Sequence, residues 1–141
     1  MCIRDRSCQS VTFEKYKYVQ AKTLDITASN TIAFGDNVTT DPIDEDDPTD
    51  PRFIVLKVNQ GATPGLIDFS GNVTSHGNLI IREAKDVRFS DESVVSIAGT
   101  LAQLVGGNET TFGNTVVATE IDIRAENLIP VSYTHLTLPT N

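Results

Sequence analysis

The densest chemical capacity in the chain lies in Asp41-Pro42-Ile43-Asp44-Glu45-Asp46-Asp47-Pro48-Thr49-Asp50-Pro51. Calcium is a hard cation that takes roughly six to eight oxygen ligands, and Asp44, Asp46 and Asp50 are the residues that could supply them. A tight calcium loop, however, alternates its ligands and places a glycine at the sharp turn. Here the carboxylates of Asp44-Glu45-Asp46-Asp47 are consecutive, and prolines fall where that turn belongs. Prolines also forbid a helix or an inner strand, and like charges repel one another. The expectation is therefore an exposed, solubilising loop over 41–51, with no resident metal or cofactor.

His76 sits in Ser75-His76-Gly77-Asn78, a turn between strand candidates. A catalytic base needs a nucleophile and an orienting carboxylate beside it, and no serine lies in a G-x-S-x-G frame; a solvent-facing turn histidine is the simpler reading. Cys8 has no C-x-x-C partner and no reactive context. Asp68, Asp86, Asp91, Glu92, Glu120 and Asp122 admit a paired-carboxylate glycosidase, which requires two carboxyls about 5–10 Å apart in a cleft. In Ile121-Asp122-Ile123 the carboxylate more simply faces water while both isoleucines face in. There is no glycine-rich phosphate loop ending in Lys-Ser/Thr and no H-E-x-x-H helix. Asn37-Val38-Thr39, Asn72-Val73-Thr74 and Asn108-Glu109-Thr110 match the glycosylation triplet, but asparagine in such places reports turn chemistry. No catalytic residue is assigned, and the chain is read as a non-enzyme.

The elements that must carry these residues are strands. Val11-Thr12-Phe13 and the alternating Tyr16-Lys17-Tyr18-Val19 open the pattern. Short apolar-x-apolar units then recur: Leu24-Asp25-Ile26, Ile32-Ala33-Phe34, Ile67-Asp68-Phe69, Leu79-Ile80-Ile81, Val87-Arg88-Phe89, Val95-Ser96-Ile97 and Ile121-Asp122-Ile123. Alternation of this kind half-buries a strand, because successive side chains point to opposite faces. Turn formers such as Gly35-Asp36-Asn37, Ser70-Gly71-Asn72 and Gly113-Asn114 separate the units. Leu24 to Ile32 is a step of eight residues, and Leu79, Val87 and Val95 repeat that step. Phe34-Gly35-Asp36-Asn37-Val38, Phe69-Ser70-Gly71-Asn72-Val73 and Phe112-Gly113-Asn114-Thr115-Val116 form a second echo.

Recurrence marks stacked units that cannot bury their own apolar faces alone. The fold class is all-β, a short-strand repetitive structure of fibre-like or solenoid-like type; a β-sandwich, whose strands also recur at short intervals, is the alternative. Arg52-Phe53-Ile54-Val55-Leu56-Lys57-Val58 is the best single strand, apolar enough for burial on both faces. Ile97, Leu101, Leu104 and Val105 have helical spacing before Gly106-Gly107, which predicts one helical turn over 100–105.

Composition narrows the partners. The chain has 141 residues, 39% hydrophobic, with 11 Lys plus Arg against 19 Asp plus Glu and a net charge of −8. That length suits one domain that buries roughly two-thirds of its unfolded surface. The acidic balance argues against a nucleic-acid backbone or an anionic membrane as partner. Met1-Cys2-Ile3-Arg4-Asp5-Arg6 and Val131 to Asn141 resemble translated sequencing adapter at opposite ends and in opposite orientations, and Pro130 shares its codon with it. Residues 1–6 and 130–141 are accordingly expected to be non-native, and 7–129 to be one β-rich fragment of a longer protein. Removing them leaves Cys8 and His76 alone of their types, too few for an internal disulfide or a zinc site.

Gly71-Asn72-Val73-Thr74-Ser75-His76-Gly77-Asn78-Leu79-Ile80-Ile81 resembles the G-[DN]-[VL]-T-x-x-G-[DN]-L-x-[VI] units of bacteriophage tail-fibre and other virion structural proteins of marine metagenomic type. Residues 67–81 carry the likeness best, with 24–38 and 112–123 as weaker echoes. The resemblance implies a virion-located, elongated homotrimer that recognises a host-surface glycan through parts outside this fragment. A bacterial surface or secreted β-domain of adhesin type, or an accessory domain of a polysaccharide-degrading enzyme, are the other readings. Three-residue strands leave unpaired edges that two further chains would cover, so the isolated fragment is expected to be trimeric or poorly folded.

Overall fold

Each short apolar-x-apolar unit buries one side, and the chain satisfies all of them by winding around a single axis. The computed structural model describes residues 10–59, 65–129 and 132–134. The first coil holds β1 (Ser10–Phe13), β2 (Val19–Ala21) and β3 (Thr23–Ala28); the second holds β4 (Thr31–Phe34), β5 (Val38–Thr40) and β6 (Phe53–Val58). The third holds β7 (Leu66–Phe69), β8 (Val73–Ser75) and β9 (Asn78–Glu83). β10 (Asp86–Phe89) then leads into the long strands β11 (Val95–Phe112) and β12 (Thr115–Ile129), which bend around corners, and β13 (Ser132–Thr134) follows.

Every strand pair among the described residues is parallel, and each strand pairs with its counterpart one coil away. β1, β4, β7, β10 and Glu109–Phe112 form one face; β2, β5, β8 and Val95–Ile97 a second; β3, β6, β9 and Leu101–Gln103 a third. The protein is a β-solenoid of about five turns. A β-sandwich is thereby excluded, since its sheets are antiparallel. The eight-residue step seen in the sequence leads from the third face to the next first face, Leu24 to Ile32 and Leu79 to Val87. The step from second face to third is shorter, so residues paired across coils, such as Val11 with Ile32 and Ile67 with Val87, lie closer in sequence than three such steps.

Register places like on like. Val11, Ile32, Ile67 and Val87 form one inner row, Val38, Val73, Val95 and Val116 another, and Leu24, Ile54, Leu79, Leu101 and Ile121 a third. The most regular row is Phe13-Phe34-Phe69-Phe89-Phe112, whose rings stack with centroids 5.0, 5.2, 4.6 and 4.8 Å apart. That spacing is the inter-strand distance of about 4.8 Å: the backbone ladder dictates ring separation, and the near-parallel planes follow.

The middle residues of the apolar-x-apolar units (Asp25, Asp68, Arg88, Ser96, Asp122) face outward, as alternation requires. In β6 the inner side carries Ile54, Leu56 and Val58, while outside Val55 is covered and Lys57 exposed. Burial on both faces is thus achieved only at Val55.

Two expectations fail. Residues 100–105 form strand within β11, with no helical turn. Leu101 and Gln103 point in while Leu104 and Val105 are 45% and 37% exposed. β9 on one side and β12 on the other supply the backbone partners that a helix would forfeit. Tyr16-Lys17-Tyr18 is likewise not strand but a turn closed by Lys17 N–H donating to Glu14 C=O at 3.1 Å. The premise for intertwined chains also changes, because the short strands find their partners in neighbouring coils of the same chain. Ser132–Thr134, inside the segment expected to be non-native, pairs by backbone with Thr115–Val117. An open coil edge accepts any alternating segment that reaches it.

Corners are held by close backbone approach. A Cβ on Gly77 would stand 1.8 Å from the Arg52 carbonyl oxygen, and one on Gly71 2.5 Å from the Asp36 carbonyl carbon. No side chain fits either place. Inside, one polar pair interrupts the apolar rows: fully buried Thr110 donates to Gln103 Oε1 at 2.6 Å. Gln103 Nε2 and Ser93 Oγ are the buried side-chain atoms without a partner among the described residues.

Phe69→Ala, in the middle of the ring stack, should cost about 3–5 kcal/mol. Phe13→Ala, at the half-buried end, should cost less than half as much. Urea denaturation of both checks this, and equal losses contradict a stack that is strongest at its centre. Thr110→Val alone should lower stability by about 1–3 kcal/mol by stranding the Gln103 amide. The double variant Gln103→Leu/Thr110→Val should recover that loss, read from the same denaturation midpoints.

Candidate functional site

The acidic loop fills the second-face to third-face corner of the second coil, where β5 and β6 are separated by Asp41–Arg52. Its organiser is Arg52, whose side chain is only 5% exposed. Arg52 Nε donates to the carbonyls of Asp41 and Pro42, each at 3.1 Å, and Nη1 to those of Asp50 and Pro51 at 3.4 and 3.1 Å. A planar guanidinium can engage several acceptors at once in a way an ammonium cannot. The loop is therefore fastened from inside by its own backbone carbonyls.

The three candidate calcium ligands do not converge. Asp44 Oδ1 accepts from the Asp46 N–H at 2.9 Å, closing a local turn, and Asp47 Oδ1 accepts from Thr49 Oγ1 at 2.8 Å. Asp50 is taken by an ion pair with Lys22 and another, at 3.4 Å, with Arg52. Among the described residues no three His, Cys, Asp or Glu side chains group as a metal site. The hydrogen bond from Lys22 holds the Asp50 carboxyl below its ordinary value of 3.8, with Arg52 adding to the effect against partial desolvation.

His76 is less free than the sequence suggests. Its N–H donates to Thr40 Oγ1 at 2.8 Å, and its Nδ1 lies 3.0 Å from that oxygen and 3.1 Å from the Thr40 carbonyl. It ties the third coil to the second, which gives it a structural task. Cys8 lies outside the described residues. The other carboxylates are spread over outer faces and corners: Asp68 pairs with Arg88 at 3.2 Å, Asp122 with Arg124 at 3.4 Å, and Asp86 Oδ1 accepts from Asn108 Nδ2 at 3.1 Å. Asp91 and Glu92 occupy a first-face to second-face corner, where they line different grooves, and Glu120 lies on the third face.

The triplet asparagines are corner posts. Asn37 Oδ1 accepts from the Asn72 N–H one coil on at 2.8 Å, and Asn72 Oδ1 accepts from the Val94 N–H at 3.0 Å. At this corner lies a groove of about 320 Å³ whose lining includes Lys15, Tyr16, Asp36, Asn37, Asn72 and Glu92. Tyr16 is 80% exposed, and its φ of 67° is the one positive value at a non-glycine among the described residues. A bulky side chain there carries backbone strain of about 1–3 kcal/mol. Tyr16 was missed because its alternation with Lys17 and Tyr18 imitates a strand.

No known protein family, curated protein or solved structure matches the chain. Its class rests on the coil itself.

Because the folded Asp50 pKa is depressed, this carboxylate contributes stability that is present above its unfolded value of 3.8. That contribution is lost as pH falls through the lower folded value. Asp50→Asn should therefore be less stable than the parent near neutrality, with the gap closing below pH 3.8. Denaturation midpoints at several pH values test this, and a gap that persists into strong acid contradicts it.

Proposed function

We propose that the chain is a non-catalytic, rod-like segment of a phage tail fibre or related virion protein. The observation that supports this reading is the stacking of like residues in the inner rows, above all the five-ring phenylalanine stack, with register shifts in the β11–β12 ladder and at Leu56/Lys57 in the β6–β9 ladder. A coil whose inner rows recur from level to level makes a stiff spacer, and stacked repeats lengthen by adding similar units. Even the long Asp41–Arg52 insertion leaves the rows undisturbed, since it projects from a corner. The carboxylates, scattered over the outer faces and corners, give the outside an acidic surface that discourages uncontrolled association.

In this reading the homotrimer forms by side-by-side packing of finished coils. Strand exchange is unnecessary, because each coil already pairs with its neighbours in the same chain. Long-read sequencing of the source DNA across both ends of this frame is the test. The frame should continue into further apolar-x-apolar and Gly-Asn units beside tail or baseplate genes. A frame joined instead to a signal peptide and a wall or membrane anchor assigns the rod to a cell surface and overturns the virion reading.

A further inference from the structure

We infer that the peptide bond between Asp47 and Pro48 is an acid-triggered self-cleavage site, and that Arg52 keeps the two resulting pieces together as one rod. The inference is independent of which longer protein carries the rod, because it rests on the 41–52 loop alone.

The loop contains three Asp-Pro bonds, after Asp41, Asp47 and Asp50. Such a bond can be broken from within. An oxygen of the aspartate side chain attacks the main-chain carbonyl carbon of the same residue, and the new C–O bond closes a five-membered cyclic anhydride. The C–N bond breaks, and the proline nitrogen takes a proton and leaves as a secondary amine. Water then opens the anhydride, which leaves the aspartate with its side-chain carboxyl and a new C-terminal one. One water is consumed and nothing is oxidised or reduced. Acid supplies the proton for the leaving nitrogen. The nucleophile belongs to the residue it cuts, so no second molecule has to be positioned.

Three observations single out Asp47. The first is access: residues 42–49 are all exposed, and the hydrogen bonds of residues 44–49 among the described residues stay within 44–50. The second is geometry. Asp47 Oδ1 accepts from Thr49 Oγ1 at 2.8 Å across Pro48, which draws the carboxyl toward the bond it attacks. The Asp47 carbonyl accepts the Asp50 N–H at 3.1 Å, which makes its carbon more electrophilic. The third is contrast. Asp41 Oδ1 accepts from Gln20 Nε2 at 2.9 Å, and Asp50 is ion-paired with Lys22 and Arg52. The carbonyls of Asp41 and Asp50 are both held by Arg52. A carboxylate engaged by such donors is a weaker nucleophile, and a carbonyl pinned to the coil cannot turn to meet it. The charged groups around Asp47 are Asp44, Glu45, Asp46 and Asp50 on the loop, Lys22 on the first coil and Arg52 beneath. Asp41 and His76 stand at its foot, His76 against Thr40.

The clamp decides what the cut does. Arg52 donates to Asp41 and Pro42 where the loop leaves the coil and to Asp50 and Pro51 where it returns. Both stubs therefore end on one buried guanidinium, and the cut falls beyond it. β5 keeps β2 and β8 as parallel neighbours, and β6 keeps β3 and β9. Cleavage frees a short tail of residues 43–47 with a new terminal carboxylate, and a Pro48 amine, while the inner rows stay in place. The outer surface changes and the rod does not. Exposed loop tips are where a chain tolerates a nick.

The test uses the whole chain, held at about pH 3.5, in the range where ordinary aspartate titrates, and sampled by mass spectrometry. Pieces 1–47 and 48–141 should accumulate, with the bonds after Asp41 and Asp50 cut about tenfold more slowly or less. In concentrated urea at the same pH the three bonds should be cut at similar rates, because the contrast belongs to the folded loop. Asp47→Asn should slow its own cut by about tenfold or more. Gln20→Ala and Lys22→Ala, both changes outside the core, should speed the cuts after Asp41 and Asp50 respectively. Returned to neutral pH, the nicked pieces should elute together and give the circular dichroism of the intact chain. Equal cutting at all three bonds without urea, a cut indifferent to Asp47→Asn, or pieces that separate at neutral pH overturns the proposal.

Discussion

Every coil must set its inward side chains directly over those of the coil before it, and the rest of the structure follows from that constraint. Parallel strands share one register along the axis, so a residue that fits the interior at one level tends to recur at the next. Isoleucine, leucine and valine rows supply most of the buried apolar area. The phenylalanine row shows the rule most plainly, because its ring separations are set by backbone hydrogen bonding and need no side-chain preference of their own. A change of length is tolerated only where it does not shift a row, which confines insertions to corners. The Asp41–Arg52 loop obeys this: the second coil gains a long excursion, and Phe53–Val58 still resumes in register with Thr23–Ala28.

Corners carry the second kind of repetition. Glycine is required where one coil's backbone lies against the next, and asparagine where a side-chain oxygen must take a backbone N–H one level up. Asn37 to Asn72 to Val94 is such a chain of contacts, and Asn78 Oδ1 to the Thr100 N–H at 2.8 Å is its counterpart at another corner. Polar residues that sequence reasoning treats as surface turn formers are therefore fasteners between coils.

Legibility in the sequence followed the range of the interaction. Alternation within Ile67-Asp68-Phe69 or Val87-Arg88-Phe89 is local, so strand identity and facing were readable. The Phe-Gly-Asn echoes at 34, 69 and 112 correctly mark one corner, but the true coil repeat is hidden by the Asp41–Arg52 insertion and by the corner at Phe89, where Ser90-Asp91-Glu92 replaces glycine and asparagine. The helical spacing of Ile97, Leu101, Leu104 and Val105 misled because Gln103, a polar residue, occupies an inner row and breaks the alternation that would have exposed the strand. Arg52 read as the start of a strand, and its role as the pin of the acidic loop emerges only from carbonyls on both sides of that loop. The groove was invisible for the same reason: Tyr16, Asp36, Asn72 and Glu92 belong to different coils.

Disulfide trapping on the flat second face tests the register most directly. Thr39 and Thr74 point outward from adjacent strands and are paired residues of β5 and β8, about 4.8 Å apart, inside the window a disulfide spans. Ser96, on the strand beyond, faces Thr74 and lies at about twice that distance from Thr39, too far to bridge. With Cys2 and Cys8 replaced by serine, Thr39→Cys/Thr74→Cys should close rapidly within one chain, and Thr39→Cys/Ser96→Cys should not. Closure of the second pair, or failure of the first in a folded chain, contradicts the in-register coil.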